Sequence, residues 1–274
     1  MSQIDFDKTL AAGLVAYNRK VGQWWVDRTR NKAHVAAYKN IVNHVARCAQ
    51  KKSGLLIDYG CGTGLIMKQL VEALPGWNFL GIDGSKVMLS EAETWAGVKR
   101  KKRRAAIEFR CAKLPDFSAP AAKADVIVFT FPNIVSVISE RRQIEKRFPR
   151  DRDLARLLAR KQEKGEKAEE LFDQLLMSRV VSRNLRTLLR KGGLCVRVDY
   201  SQAERHELGR FDLLSTLFEE GSLNTKQAHL RPQKFFKLRS SQYYPSAVIL
   251  DVYEQTKDVD FLEGGYLVSV LEAI

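Results

Sequence analysis

The sequence predicts an α/β protein with a doubly wound, mostly parallel sheet. The apolar runs Leu55–Tyr59 and Ala124–Thr130 have the length and composition of strands buried on both faces. Between such runs lie segments whose apolar residues recur every three or four positions, as in amphipathic helices. A hydrophobic content of 45% over 274 residues is enough for a complete core. Strands that alternate with helices imply a parallel sheet with helices on both faces.

The first half of the chain supplies four predicted strands. Residues 4–50 favour helix, and an amphipathic helix is marked by Val35, Tyr38, Ile41, Val42 and Val45. The elements that follow are a strand at Leu55–Tyr59, a helix at Leu65–Leu74, a strand at Trp77–Asp83, a helix at Ser85–Trp95 capped by Ser85, a weaker strand at Ala106–Arg110 and a strand at Ala124–Thr130.

The second half begins with predicted helices from Val135 to Arg190, and Gly192-Gly193 then introduces a fifth strand at Leu194–Tyr200. A helix is predicted near Phe211 to Phe218, and Pro245 favours the start of another that ends near Thr256. The segment Val259–Leu271 places Gly264-Gly265 between two apolar runs, which predicts a β-hairpin.

The glycine-rich turn after the first strand is the strongest functional motif. It has the pattern Asp58-x-Gly60-x-Gly62-x-Gly64. A tight turn at a strand end needs positive φ angles, and a closely bound ligand leaves no room for Cβ atoms. The following helix presents free N–H groups to such a ligand. The spacing differs from the Gly-x-Gly-x-x-Gly of dinucleotide-binding turns.

A second acid lies at the end of the second strand. Asp83 follows Gly64 by 19 residues, and a carboxylate at this point can accept hydrogen bonds from both hydroxyls of a ribose. The structural alternative is a turn or helix-capping acid in Asp83-Gly84-Ser85. The glycine turn and Asp83 together favour the binding of a nucleoside-containing cofactor.

These features resemble the class I (seven-stranded, Rossmann-like) S-adenosylmethionine-dependent methyltransferases over roughly residues 50–273. The resemblance implies the strand order 3-2-1-4-5-7-6 with strand 7 antiparallel, and S-adenosyl-L-methionine as the cofactor. It also implies that Asp58 helps to fix the amino end of the cofactor and that Asp83 binds its ribose. The residues predicted to bind the cofactor are Asp58, Gly60, Cys61, Gly62, Gly64, Asp83, Gly84, Ser85, Cys111, Ala112, Lys113, Thr130 and Phe131.

The third cofactor contact departs from the pattern of the resembled family. Many members carry Gly-Asp-Ala after strand three, with the acid at the adenine amino group, whereas this chain has Cys111-Ala112-Lys113. Because a thiol is a weak hydrogen-bonding group, adenine recognition is expected to use backbone groups near Ala112. Cys111 is interpreted as a packed small hydrophobe rather than a nucleophile.

The methyl acceptor is expected beyond the carboxyl ends of strands four and five. There the chain has Asn133, which either orients the acceptor or only forms a turn after Pro132. Asn/Asp-Pro-Pro-Tyr, common in enzymes that methylate nucleobase amino groups, is replaced by Thr-Phe-Pro-Asn. If a base is needed, the candidates are His229, His206, Asp199 and Tyr200. No set of side chains has the spacing of a metal site, so none is predicted.

Two segments are expected to cover the acceptor. They are the N-terminal helices with Tyr17, Trp24 and Trp25, and an insertion at residues 201–244 that contains Phe235-Phe236 and Tyr243-Tyr244. Plain core packing is an equally good interpretation of each aromatic. The predicted organisation is therefore an N-terminal helical segment or lid at 1–50 and a methyltransferase domain at 51–274, with a helical segment at 135–190.

The net charge of +14 is concentrated in the run Lys99–Arg104 and in residues 140–191. This charge either grips phosphates or belongs to solvated helix faces, and the second interpretation is favoured. Cys48, Cys61, Cys111 and Cys195 lie far apart, which favours reduced thiols in the cytoplasm. No apolar run reaches a membrane-spanning length of about 18 residues, and the start of the chain does not look like a secretory signal.

The leading functional hypothesis is N-, O- or C-methylation of a small-molecule acceptor, such as a specialised metabolite. An RNA or DNA methyltransferase that uses the basic segments is the second hypothesis. The third is non-methyl chemistry of the sulfonium, by aminocarboxypropyl transfer or intramolecular cyclisation. A non-catalytic cofactor-binding protein is the fourth, because a fold and a cofactor site do not prove turnover.

Overall fold

The structure is a computed structural model that describes residues 22–23, 26–27, 30–100, 106–112, 122–131, 181–182, 184–201, 235–246, 248 and 265–274. For residues 99, 100, 200 and 201 it describes the backbone alone. The long helices are α1 (Lys32–Cys48), α2 (Leu65–Ala73) and α3 (Lys86–Arg100). The strands are β1 (Leu55–Tyr59), β2 (Asn78–Asp83), β3 (Ile107–Cys111), β4 (Ala124–Thr130), β5 (Leu189–Ser201), β6 (Phe236–Pro245) and β7 (Gly265–Ala273).

The seven strands form one sheet in the order β3-β2-β1-β4-β5-β7-β6. Strands β1 to β5 are parallel to their neighbours, and β7 is antiparallel to both β5 and β6. The predicted fold class and strand order are therefore confirmed. The carboxyl ends of the parallel strands share one edge, which we call the carboxyl edge, and the opposite one is the amino edge.

Side-chain alternation along the strands gives the sheet two apolar faces, and each has its own core. Face one contains Leu56 and Val128 from the strands and is covered by α1, α2 and α3. Face two contains Ile57 and Phe129 and is covered by the helical residues 181–182 and 184–188. Helix α1 shares the core of face one with the sheet, so residue 50 does not separate two cores in the described part of the chain.

Helix α1 confirms most of the predicted apolar face, but the predicted burial of Val35 is wrong. Tyr38, Ile41 and Val45 are buried, whereas Val35 is 48% exposed. The inward position one turn before Tyr38 is taken by His34, which is fully buried. Hydropathy alone favours Val35 because valine is apolar, but the four-residue spacing brings His34 directly above Tyr38.

The closing hairpin was a wrong prediction, and so was the extent of the insertion. Strand β7 pairs with β5 along one side and with β6 along the other, so neither of its edges can accept the segment before Gly264. Residues 236–244, assigned to the insertion, belong to β6. Pro245 ends this edge strand instead of starting a helix, and residue 248 is helical.

Other predicted boundaries shift by a few residues. The runs Leu55–Tyr59 and Ala124–Thr130 are strands as predicted, and the Ser85 hydroxyl caps α3 by accepting from the N–H of Met88. Strand β5 starts at Leu189, before Gly192-Gly193, because the strand continues through an irregularity in its pairing with β4. The predicted helix at 211–218 and most of the helical segment 135–190 lie outside the described residues.

Candidate functional site

The glycine turn between β1 and α2 has the backbone that its sequence predicts. Gly60, Gly62 and Gly64 all have positive φ angles, of 79°, 52° and 71°. A Cβ atom at Gly64 would lie 3.0 Å from the Trp95 ring, so this glycine lets α3 pack on the turn. A Cβ atom at Gly62 would meet nothing within 4 Å, so open space lies beside the turn at this residue. The turn thus combines a backbone that needs glycine with room for a ligand.

Asp58 is an unusual carboxylate because it is buried without full compensation. Its side chain is 1% exposed, and its Oδ1 atom has no hydrogen-bond partner. Burial raises the pKa of Asp58 to about 7, and the nearby charge of Asp83 adds to the rise. An unpaired buried acceptor of this kind suits a cationic ligand group, which would supply both the missing donor and a compensating charge.

Asp83 fastens the turn to the end of β2. Its Oδ2 accepts from the N–H of Gly62 at 2.9 Å, and its Oδ1 accepts from the N–H of Ser85 at 2.8 Å. Burial raises the pKa of Asp83, although hydrogen bonds from Ser85, Gly62 and Gly84 oppose the rise. Asp83 therefore has the structural role of holding the turn. To bind a ribose as well, its two oxygens would accept hydrogen bonds from the hydroxyls with their remaining lone pairs.

The other predicted cofactor residues surround these two acids. Cys61 is buried, and burial, followed by the charges of Asp58 and Asp83, raises the pKa of its thiol well above the ordinary value. Ala112 donates its N–H to the carbonyl of Asp83 at 3.0 Å. Cys111 is exposed, so its interpretation as a packed hydrophobe was wrong. Lys113 lies outside the described residues.

Thr130 and Phe131 lie beside the glycine turn. The register pairs Asp58 with Val128, so the ends of these neighbouring strands bring Gly60 close to Thr130. Phe131 has a φ of 44°, the one non-glycine residue with positive φ in the described part of the chain. Such backbone strain in a bulky residue persists where surrounding contacts enforce it. Here the Phe131 N–H donates to the carbonyl of Val198 at 2.8 Å.

Residues 56–147 match the family model of a methyltransferase domain. The matched segment contains the glycine turn and Asp83, and the chain has the seven-stranded sheet that was expected. The chain carries a class I methyltransferase domain. Its cofactor is S-adenosylmethionine, which contains both a ribose and a cationic amino-acid arm.

Solved structures show the same fold at low identity. The magnesium protoporphyrin IX methyltransferase of Synechocystis PCC 6803 with bound S-adenosylmethionine has a TM-score of 0.53 at 16% identity, covering 98% of this chain and 99% of that one. The [4+2]-cyclase SpnF has a TM-score of 0.55 at 14% identity, covering 89% and 83%. These likenesses establish the fold. No curated protein sequence matches the chain.

The methyltransferase domain fits its cofactor at the glycine turn. The orphaned Oδ1 of Asp58 suits the ammonium of the methionine arm, and the open space beside Gly62 leaves room for the ligand. Asp83 lies at the position that the resemblance gives to the ribose. Among the described residues, no three His, Cys, Asp or Glu side chains group as metal ligands, and no helix is long and apolar enough to cross a membrane.

Most of the predicted acceptor residues fall outside the described parts. Asn133, His229 and His206 lie there, and Tyr200 is described only as a backbone residue that pairs with Tyr266. Asp199 is buried in a bidentate ion pair with Arg197, with both nitrogen–oxygen distances at 2.7 Å. A carboxylate held in this way is stabilised in its ionised form, which disfavours Asp199 as the base.

The structure brings together a group of aromatic rings at the carboxyl edge that the sequence did not predict as a group. The Phe131 ring lies 5.7 Å from His34 and 6.0 Å from Tyr266, and Tyr244 stacks on Tyr266 at 5.3 Å. The N–H of the Asn40 side chain donates to the Tyr266 hydroxyl at 2.9 Å. Burial raises the pKa of Tyr266, with Asn40 opposing the rise. A polar residue inside the apolar face of α1 was the available sequence signal for His34.

Proposed function

We propose that this protein transfers the methyl group of S-adenosylmethionine to a small organic acceptor. The observation that carries the proposal is the group of aromatic rings at the carboxyl edge, where Phe131 lies against Tyr266 and Tyr244 stacks on Tyr266. Concave sites for small molecules are lined mainly by apolar and aromatic side chains with a few polar groups. Tyrosine hydroxyls and Asn40 supply such polar groups here.

The basic side chains that the structure describes near β4 lie at the edge of the sheet opposite to these rings. Lys51 and Arg190 both pair with Asp125, which lies near the start of β4 and therefore at the amino edge. Charge at that edge is too distant to align reacting atoms at the carboxyl edge, because screening reduces it over about 8 Å at physiological salt.

The chemistry requires alignment more than acid–base catalysis. When bound, the cofactor supplies a sulfonium methyl group; the attacking atom forms a bond to that carbon while the sulfur keeps the electron pair of the broken bond. The protein's task is to hold the two reactants in line and exclude water, which the rings at the carboxyl edge support. An acceptor hydroxyl or ammonium group must also lose one proton, to solvent or to a nearby side chain.

Two separately labelled preparations of the cofactor test the proposal. The protein is incubated with S-adenosylmethionine labelled either in the methyl or in the carboxyl group, together with a small-molecule extract or total RNA. Entry of the methyl label alone into small molecules is expected. Label that enters RNA supports the nucleic-acid alternative, and transfer of the carboxyl label reveals aminocarboxypropyl chemistry. Gly62→Val is the control, because loss of cofactor binding must abolish true transfer.

A second candidate is a reaction without methyl transfer. The specific observation in its favour is the fold likeness to SpnF, which is described as a [4+2]-cyclase. In that case both labels stay in the recovered cofactor while an added substrate is converted. If the cofactor itself cyclises, a new labelled product forms with no added acceptor. The same incubations therefore distinguish methyl transfer, conversion of a substrate without transfer, and cyclisation of the cofactor.

A further inference from the structure

Three buried polar side-chain atoms in the described residues lack a hydrogen-bond partner. They are Asn31 Nδ2, Asp58 Oδ1 and Ser182 Oγ. Buried polar groups are almost always satisfied, so each such atom calls for an explanation. Ser182 adjoins Val181 in the core of face two, which is the face of the sheet opposite to Asp58. The other two atoms require a common account.

Asn31 and Asp58 belong to the same face and the same edge of the sheet. Asp58 alternates with Ile57 and Tyr59, so its side chain is directed to face one, which α1 covers. Asn31 is the residue that caps the start of α1. That start lies at the carboxyl edge, because the His34 ring contacts Phe131 just after β4.

The backbone fixes which way the Asn31 amide points. The N–H of His34 lies 2.9 Å from Asn31 Oδ1, and a backbone N–H can only donate. The oxygen therefore faces the helix, and the Nδ2 group is the one left without an acceptor. His34 Nδ1 lies 3.1 Å from the same oxygen, so this nitrogen carries a proton that it can donate.

We infer that Asn31 binds the carboxylate of the cofactor's amino-acid arm while Asp58 binds its ammonium. The orphaned atoms are one donor and one acceptor, and a zwitterionic α-amino acid presents the matching acceptor and donor on a single carbon. The inference rests on the cofactor of the proposed function, but it does not depend on the identity of the acceptor. Asn31 thus joins the start of α1 to the ligand, which makes α1 part of the cofactor site.

His34 positions the amide for this contact. It is fully buried, its ring lies against Phe131 and Tyr38, and its Nδ1 and backbone N–H both meet Asn31 Oδ1. Two donors on one oxygen hold the side chain in a single rotamer. An amide held in this way loses little conformational freedom when its Nδ2 group binds the ligand.

Asn31→Ser separates the ligand contact from the capping role. Serine is also a good N-cap, so the helix keeps its capping oxygen and loses only the Nδ2 donor. Calorimetry should show S-adenosylhomocysteine binding weakened by roughly 10- to 100-fold, the range of a charge-assisted hydrogen bond. Methylthioadenosine, which lacks the amino-acid arm, should bind with less than about a twofold change, because it never reaches the Nδ2 group. Asn31→Asp should weaken S-adenosylhomocysteine further by repulsion, with α1 still capped.

Asn40→Ser is the matched control on the same helix, because the Nδ2 group of Asn40 already has Tyr266 as its acceptor. Its effect, transmitted through packing, should be equal for the two ligands. The inference is overturned if Asn31→Ser binds S-adenosylhomocysteine as the unaltered protein does, or if it weakens both ligands equally. An unaltered protein that binds neither ligand would instead refute the cofactor assignment, and binding without methyl transfer would refute only the proposed function.

Discussion

Asp58→Asn should stabilise the ligand-free protein while it impairs cofactor binding. Asp58 is fully buried, and burial together with the charge of Asp83 raises its pKa from 3.8 to about 7. Each pH unit corresponds to about 1.4 kcal/mol, so keeping this carboxylate ionised costs the fold about 4 kcal/mol at pH 8. An asparagine amide has no charge to desolvate, but burying its polar group also costs free energy unless it is hydrogen-bonded. We therefore expect about 2 kcal/mol of added stability for the variant.

The sign of the pH dependence follows from the raised pKa. The folded protein favours the protonated carboxyl of Asp58, so this group contributes its stability below the unfolded pKa of about 4. That contribution is lost as the pH rises towards about 7, the folded value. The asparagine side chain of the variant does not titrate, so the stability advantage of Asp58→Asn should be large at pH 8 and close to zero near pH 4.

Urea denaturation followed by circular dichroism at pH 4.5, 6 and 8 measures this difference. Asp125→Asn is the control, because the pKa of Asp125 is lowered: burial raises it, but hydrogen bonds from Lys51, the Leu55 N–H and Arg190 outweigh burial. The ionised Asp125 stabilises the fold above about pH 4, so this variant should lose stability at pH 8 and approach the unaltered protein in acid. If Asp58→Asn is less stable than the unaltered protein at pH 8, the reasoning is refuted.

Three further changes test the rest of the site. Gly62→Val should abolish cofactor binding with a near-native circular dichroism spectrum, because φ is 52° and the added side chain enters the open space where the ligand binds. Gly97→Val in α3 is the control, and a normal cofactor affinity of Gly62→Val would contradict the assignment. Asp83→Ala should weaken S-adenosylhomocysteine by about 1.5–3 kcal/mol in calorimetry, with Asp83→Glu recovering only part. Replacing four cations of Lys99–Arg104 by Gln or Ser should leave catalysis nearly intact. If the plot of log RNA affinity against log salt concentration instead becomes less steep by up to about four units, the result favours a nucleic-acid substrate.

The sequence by itself determined the central strands and the cofactor turn. Strands β1 and β4 have their predicted bounds because a strand buried on both faces must be continuously apolar, which is a local property of the chain. The three positive φ angles of the turn were likewise predictable, because glycine adopts them without strain. Asp83 was predictable from its place at the end of β2.

Only the tertiary structure decided which segment of the chain forms β6, the edge strand beside β7. Strand β6 is an edge strand with polar residues such as Ser240 and Gln242, so it lacks the apolar signal of a buried strand, whereas Gly264-Gly265 gives a strong but misleading turn signal. The roles of Asn31 and His34 were equally hidden, because a capping asparagine is ordinary in sequence and a histidine on an apolar helix face does not reveal which group it contacts. Their significance comes from the unpaired Nδ2 atom of Asn31, and a hydrogen bond that is missing in a folded core becomes visible only when all the neighbours are in place.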